Sequence, residues 1–133
     1  MVNEAVILEL NENADAKQYI VAAATSISKG TLLKLSGDNT VIASSADDEA
    51  YGGVAAADKD GTDSSTTLAV YTPHQGNKFD MKCAASSVTL GAEVVISGAN
   101  LIRNAVSADL LLGRVIGRAQ EAGDPAEVIA VLS

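Results

Sequence analysis

The chain of 133 residues (13.5 kDa) is 47% hydrophobic, enough to pack one domain or two half-domains sharing a core. With 3% aromatics and no Trp, that core must come from Val, Leu, Ile and Ala, and it gains from association with a neighbouring subunit. A net charge of −8 with sparse, scattered Lys and Arg argues against nucleic acid as a partner, the lone Cys83 excludes an intrachain disulfide or a multi-cysteine metal site, and no apolar run approaches the ~18 residues of a membrane span.

Residues 1–18 read as an N-terminal arm. Its "AVILEL" (5–10) is strand-like and its "NENADAKQ" (11–18) is polar and turn-prone. Glu4 and Glu9 bracket the apolar run, which lacks the basic start and cleavage site of a signal peptide, so a soluble product of the cytoplasm is expected. From Tyr19 onward, β-prone runs alternate with Gly, Ser, Asn and Asp: 19–24, 31–35, 40–44, 51–57, 66–72, 79–85, 92–97, 100–105, 110–120 and 127–133. Turn signals roughly every ten residues are the pattern of an all-β sandwich or barrel. "SADDEAYGG" and "NAVSADLLLG" each have room for one helical turn, with Ser45 or Ser107 as the N-cap. The expected fold class is thus all-β, a small barrel or sandwich in a single domain over 19–133 with an extended arm before it.

The chain also repeats itself. A slide of 61 sets "SISKGTLLKLSGDN" (26–39) on "SVTLGAEVVISGAN" (87–100), matching Gly30 with Gly91, Gly37 with Gly98 and Asn39 with Asn100. Dropping one residue after Asn39 then sets Gly53 on Gly113, a later adjustment sets Gly61 on Gly123, and "LAVY" (68–71) falls on "IAVL" (129–132). Gly and Asn at the shared turn supply the positive φ that tight hairpins require. Two β motifs, 26–72 and 87–133, related by a pseudo-two-fold are expected.

No stretch carries a convincing catalytic set. His74 is the single histidine, in the loop "YTPHQGNK", so it forms neither a metal pair nor a legible triad. "DKDGTD" (58–63) starts like a calcium loop but lacks the closing Glu and reads as an acidic turn. Met81-Lys82 matches the modified lysine of biotin or lipoyl carrier domains. Yet "NKFDMKCAA" alternates as a strand, with Phe79, Met81 and Cys83 on one face and Lys78, Asp80 and Lys82 on the other. A non-enzyme without cofactor or metal is the expectation.

A family resemblance sits on Gly53-Val54-Ala55-Ala56, the acidic turn Asp58–Asp63, Ser65-Thr66-Thr67-Leu68 with Tyr71, Gly76, and Lys78-Phe79-Asp80. These pieces resemble the lambda-type head decoration (capsid cement) proteins of tailed bacteriophages. The second half, "TLGAEVVISGANLIRNA…LLGRVIGRA…EVIAVLS", is similar to another group of small β-rich phage decoration proteins, so that about 20–133 is covered. The resemblance implies a β-tulip-like virion protein on the outer surface of an icosahedral capsid, bound to the major capsid protein of an HK97-fold shell, as a homo-oligomer, most simply a trimer. Under it, Val6, Ile7, Leu8, Glu9 and Leu10 would add a strand to a capsid-protein edge. The loop Pro73, His74, Gln75 and Gly76 would be a second contact, and Gly30, Gly37, Asn39, Gly91, Gly98 and Asn100 would form structural turns. Pairing of 5–10 within its own domain, a carrier domain modified at Lys82, and an oligomeric β module of a fibre or tail remain open alternatives.

Overall fold

The computed structural model describes residues 3–11 and 15–133; the turn-prone stretch expected over 11–18 lies partly outside them. Among the described residues, eleven strands and one short helix follow in the order β1 (Val6–Glu9), β2 (Lys17–Ile20), β3 (Leu32–Gly37), β4 (Thr40–Ala43), β5 (Tyr51–Ala55), β6 (Thr67–Tyr71), β7 (Lys78–Cys83), β8 (Glu93–Ile96), β9 (Leu101–Asn104), α1 (Ser107–Leu111), β10 (Gly117–Ala119) and β11 (Val128–Leu132). The chain is all-β, as the turn spacing predicts. Strand β2 begins at Lys17, so a boundary drawn at 18 would cut it. The expected strand over 110–120 is instead the end of α1, a turn and β10.

Strands β2-β4-β3-β5-β6 close into a five-stranded barrel, barrel 1. A second sheet runs β1-β7-β11-β10-β8-β9, and β9 pairs back to β7. The five strands from β7 to β11 therefore close into barrel 2, with β1 hydrogen-bonded outside it. The connectivity is the same in both barrels: the first strand of each pairs parallel with the third and antiparallel with the fifth.

Register fixes the correspondence. Leu33 faces Ala43 and Gly53 in barrel 1, where Val94 faces Asn104 and Gly117 in barrel 2. Val41 thus corresponds to Ile102 at the original shift of 61, with no residue dropped after Asn39. The extra residues come later: Gly117 lies 64 beyond Gly53, so the loop before it is three residues longer, and Gly53 matches Gly117 rather than Gly113. Both glycines are needed, because a Cβ at Gly53 would sit 2.4 Å from the Tyr71 carbonyl oxygen and one at Gly117 would sit 2.4 Å from that of Leu132. The bridges Ile27–Lys59 and Val88–Gly123 likewise set Lys59, not Gly61, on Gly123. At the hairpin tips the left-handed residues are Asn39 (φ 52°) and Asn100 (φ 57°), with Gly98 at 124°; Gly37 is not left-handed, since the asparagine already makes the turn.

The interiors correspond position by position. Val21, Ile27, Leu33, Val41, Ala55, Leu68 and Val70 fill barrel 1, with Tyr19 packed against them. Cys83, Val88, Val94, Ile102, Ala119, Ile129, Val131 and Met81 fill the matching places in barrel 2. Alternation puts these residues inside, as the sequence predicts for Phe79, Met81 and Cys83, all buried. Among the described residues, no helix is long and apolar enough to cross a membrane.

Candidate functional site

The barrels meet through unlike faces. Barrel 1 offers its side wall, Leu32, Val54 and Tyr51, which shares one core with Phe79, Ile96 and Ile116 at an end of barrel 2. Tyr71 joins at the edge, its ring 6.3 Å from that of Phe79. The positions of barrel 2 that match Leu32, Val54 and Tyr71 are Glu93, Arg118 and Leu132, and they are at the surface. A two-fold would bring equivalent positions together, so the expected pseudo-two-fold is replaced by a serial, head-to-tail relation.

The loop between β4 and β5 docks this junction. Asn100 is buried, accepting the Leu32 N–H on Oδ1 at 2.8 Å and donating its own N–H to Ser44 Oγ at 3.1 Å. The Asp48 N–H donates to the Ile96 carbonyl at 3.0 Å, and Asp47 bridges Ser97. Arg103 donates from Nε to Asp47 Oδ1 at 2.7 Å and from Nη1 to Asp109 Oδ2 at 2.8 Å, clamping the loop to barrel 2.

The hydrogen bonds from Arg103 first, and then the Val106 N–H, hold the buried Asp109 carboxyl down to about 2. Asp48 is pushed the other way, chiefly because its carboxyl shares a hydrogen bond with Asp109. Asp109 also starts α1, accepting the Val106 N–H at 2.8 Å, so the N-cap is Val106 and not Ser107. In the matching loop of barrel 1, Glu49 accepts the Ser45 and Ala46 N–H groups, and no helix forms there.

The N-terminal segment spans the junction. Of the two roles open to 5–10, the structure shows pairing within the chain: β1 lies antiparallel on β7, with Val6 opposite Asp80 and Ile7 opposite Phe79. Residues 6–9 are therefore an integral strand, and the expected free arm is overturned there because Ile7 packs against the core. One residue earlier, the N–H of the buried Ala5 donates to the Gly30 carbonyl of barrel 1 at 2.6 Å. The segment thus straps both barrels.

Val6, Leu8 and Leu10 remain exposed, and Glu9 lies 3.7 Å from the Lys78 ammonium. The loop 73–76 reaches the same place. Asn11 donates its N–H to Asn77 Oδ1 at 2.8 Å and its side-chain amide to the Gln75 carbonyl at 3.0 Å, and Gln75 Nε2 donates to the Asp15 carbonyl. The fold brings together the two segments singled out separately, the 6–10 stretch and the Pro73–Gly76 loop. His74 is exposed with φ 64°, beside a shallow cleft of about 210 Å³ shared with Glu93 and Arg118.

The remaining candidates resolve as structure. Lys82 lies within β7, away from any turn, and its ammonium donates to Asn3 Oδ1 at 3.3 Å. Asp58 accepts the Lys29 N–H, Asp60 the Thr62 N–H and hydroxyl, and Asp63 the Ser65 N–H, so "DKDGTD" is a hydrogen-bonded turn. Its Lys59 is buried, donating to the Ala23 and Thr25 carbonyls at 3.0 Å. Among the described residues, no group of three or more His, Cys, Asp or Glu could hold a metal ion. Sequence reasoning missed the Arg103–Asp47–Asp109 cluster, whose only local signal is the repeated Ser-Ala-Asp at 45–47 and 107–109. Comparison with models of known protein families and with curated proteins returned no match.

Proposed function

We propose that the protein is a head decoration protein, a non-catalytic cement that binds the outer surface of an icosahedral HK97-fold phage shell and stabilises it as a homotrimer. Docking runs through β1 and the adjoining loop 73–76. One observation carries the reading: among the described residues, β1 is the outermost strand of its sheet and pairs with β7 alone, with Val6 and Leu8 exposed on it. An edge strand with unpaired backbone groups can accept a strand from a capsid protein, each added hydrogen bond contributing a net ~1 kcal/mol. The edge thus receives a strand where the sequence reading had an arm donate one. The acidic charge and ring-poor core suit a soluble protein completed by neighbours.

The test is co-sedimentation of the full-length protein with undecorated heads of the phage whose genome carries its coding sequence. Saturable binding is expected, and Val6→Asp with Leu8→Asp should weaken it at least tenfold while leaving the far-UV spectrum unchanged. Failure of the unaltered protein to bind would end the reading. Unchanged binding by the double variant would remove β1 from the contact.

A further inference from the structure

Because the junction joins a wall to an end, each barrel keeps one unused face. Among the described residues, barrel 1 has a free end and barrel 2 a free wall. We propose that these two faces meet between copies, so that the chain associates head to tail with itself through a contact repeating its own internal junction. This goes beyond the capsid reading and requires no shell.

The argument starts from equivalence. On the end of barrel 2, the junction uses Ile96, Ser97, Asn100 and Arg103. The matching residues of barrel 1, 61 positions earlier, are Leu35, Ser36, Asn39 and Ile42. Ile96 is fully buried, whereas Leu35 is 44% exposed and Ile42 39% exposed. Two of the four residues are unchanged, and Asn39 holds the same left-handed turn conformation as Asn100. The hairpin tip that receives the Leu32 N–H inside the chain is thus reproduced at the free end, in register to receive the Glu93 N–H of a second copy.

The opposing face changes in step. Within the chain, the β4–β5 loop meets Arg103 with Asp47, a charge pair. Ile42 replaces Arg103 at the free end, and the loop of barrel 2 that takes the place of the β4–β5 loop carries Val106, Leu110, Leu111 and Leu112. All four are exposed, Leu111 to 89%. A salt bridge inside has become an apolar pair of surfaces outside, on both partners at once. Scattered surface leucines are ordinary, but a cluster opposite apolar residues on a template the chain already realises points to a second copy as its cover.

Joining unlike faces makes the contact heterologous, so the rotation between barrels decides whether copies close into a ring or extend as a chain. Closed with three copies, the ring would hold six barrels around one axis.

Sedimentation velocity of the full-length protein from micromolar to millimolar concentration tests this, with Leu35→Glu plus Ile42→Glu blocking the end and Leu110→Glu plus Leu111→Glu blocking the wall. Both variants alter exposed side chains, and unchanged melting and far-UV spectra confirm the fold. The unaltered protein should associate, and each variant should weaken association at least tenfold. An equimolar mixture of the two variants should form a one-to-one dimer and nothing larger, because one good end and one good wall remain. A strictly monomeric unaltered protein, an effect of only one variant, or a mixture that stays monomeric would each overturn the proposal.

Discussion

Barrels 1 and 2 share strands, connections and an interior matched residue for residue, yet they use opposite faces. The difference lies in a few outward positions. Leu32, Val54 and Tyr71 make the wall of barrel 1 a binding face, and Glu93, Arg118 and Leu132 make the same wall of barrel 2 a surface. Arg103 gives the end of barrel 2 an ionic clamp, and Ile42 leaves the end of barrel 1 without one. Inward residues specify the barrel, and outward ones specify what it touches.

The largest expected effect comes from exchanging one such pair. Val54→Arg places an unpaired charge in the shared core and should cost roughly 3–5 kcal/mol, whereas Arg118→Val changes an exposed site and should stay within about 0.5 kcal/mol. Urea unfolding of the two variants would measure both, and similar losses would mean that the walls are equivalent after all.

Removing the clamp is next. Arg103→Met strands the buried Asp109 carboxylate and should cost about 2–3 kcal/mol near neutral pH. The pH dependence follows from Asp109. Its folded-state value, about 2, lies below the ordinary 3.8, so its contribution is present above about pH 4 and disappears as the pH falls toward 2. Asp48, raised by its hydrogen bond with Asp109, opposes this: its share is present at low pH and lost as the pH rises through its folded-state value. Acid titration of stability should therefore fall more steeply in the unaltered protein than in Arg103→Met, and parallel curves would deny the clamp.

Deleting residues 1–10 tests the strap. Loss of the Ala5–Gly30 bond, the β1 ladder and the packing of Ile7 should lower stability by about 2 kcal/mol while both barrels keep their strands. Unchanged melting would show that β1 holds nothing together. The smallest effect probes Lys59, which in barrel 2 is Gly123. Lys59→Met leaves the Ala23 and Thr25 carbonyls without their donor and should cost about 1–2 kcal/mol. A neutral result would place water there.

How far the sequence revealed this follows from the same division. The repeat was legible because alternation and turn residues are local: the strands follow the "SG-x-N" turn, and Phe79, Met81 and Cys83 point inward as their period requires. Glycine spacing alone sets Gly53 on Gly113, because it cannot locate a three-residue insertion. Only the backbone approach at Gly117 can. The junction was illegible because its members are distant, with Arg103 and Asp47 56 residues apart and Leu32 and Asn100 68 apart. Each of those charges reads alone as a solvated one. The partner of β1 was equally remote, so pairing at home and reaching for a neighbour looked alike.

The placement of β1 has a consequence in time. It is synthesised before either barrel, yet its partner β7 follows barrel 1 and belongs to a barrel that closes only with β11. At translation rates of about 5–20 residues per second, Val6, Ile7 and Leu8 wait on the order of ten seconds with no strand to pair with. Glu4 and Glu9 flank them throughout, charges that keep a nascent apolar strand from pairing with its neighbours on a polysome. Barrel 1 can fold as it emerges, and β1, made before both barrels, is among the last strands to dock.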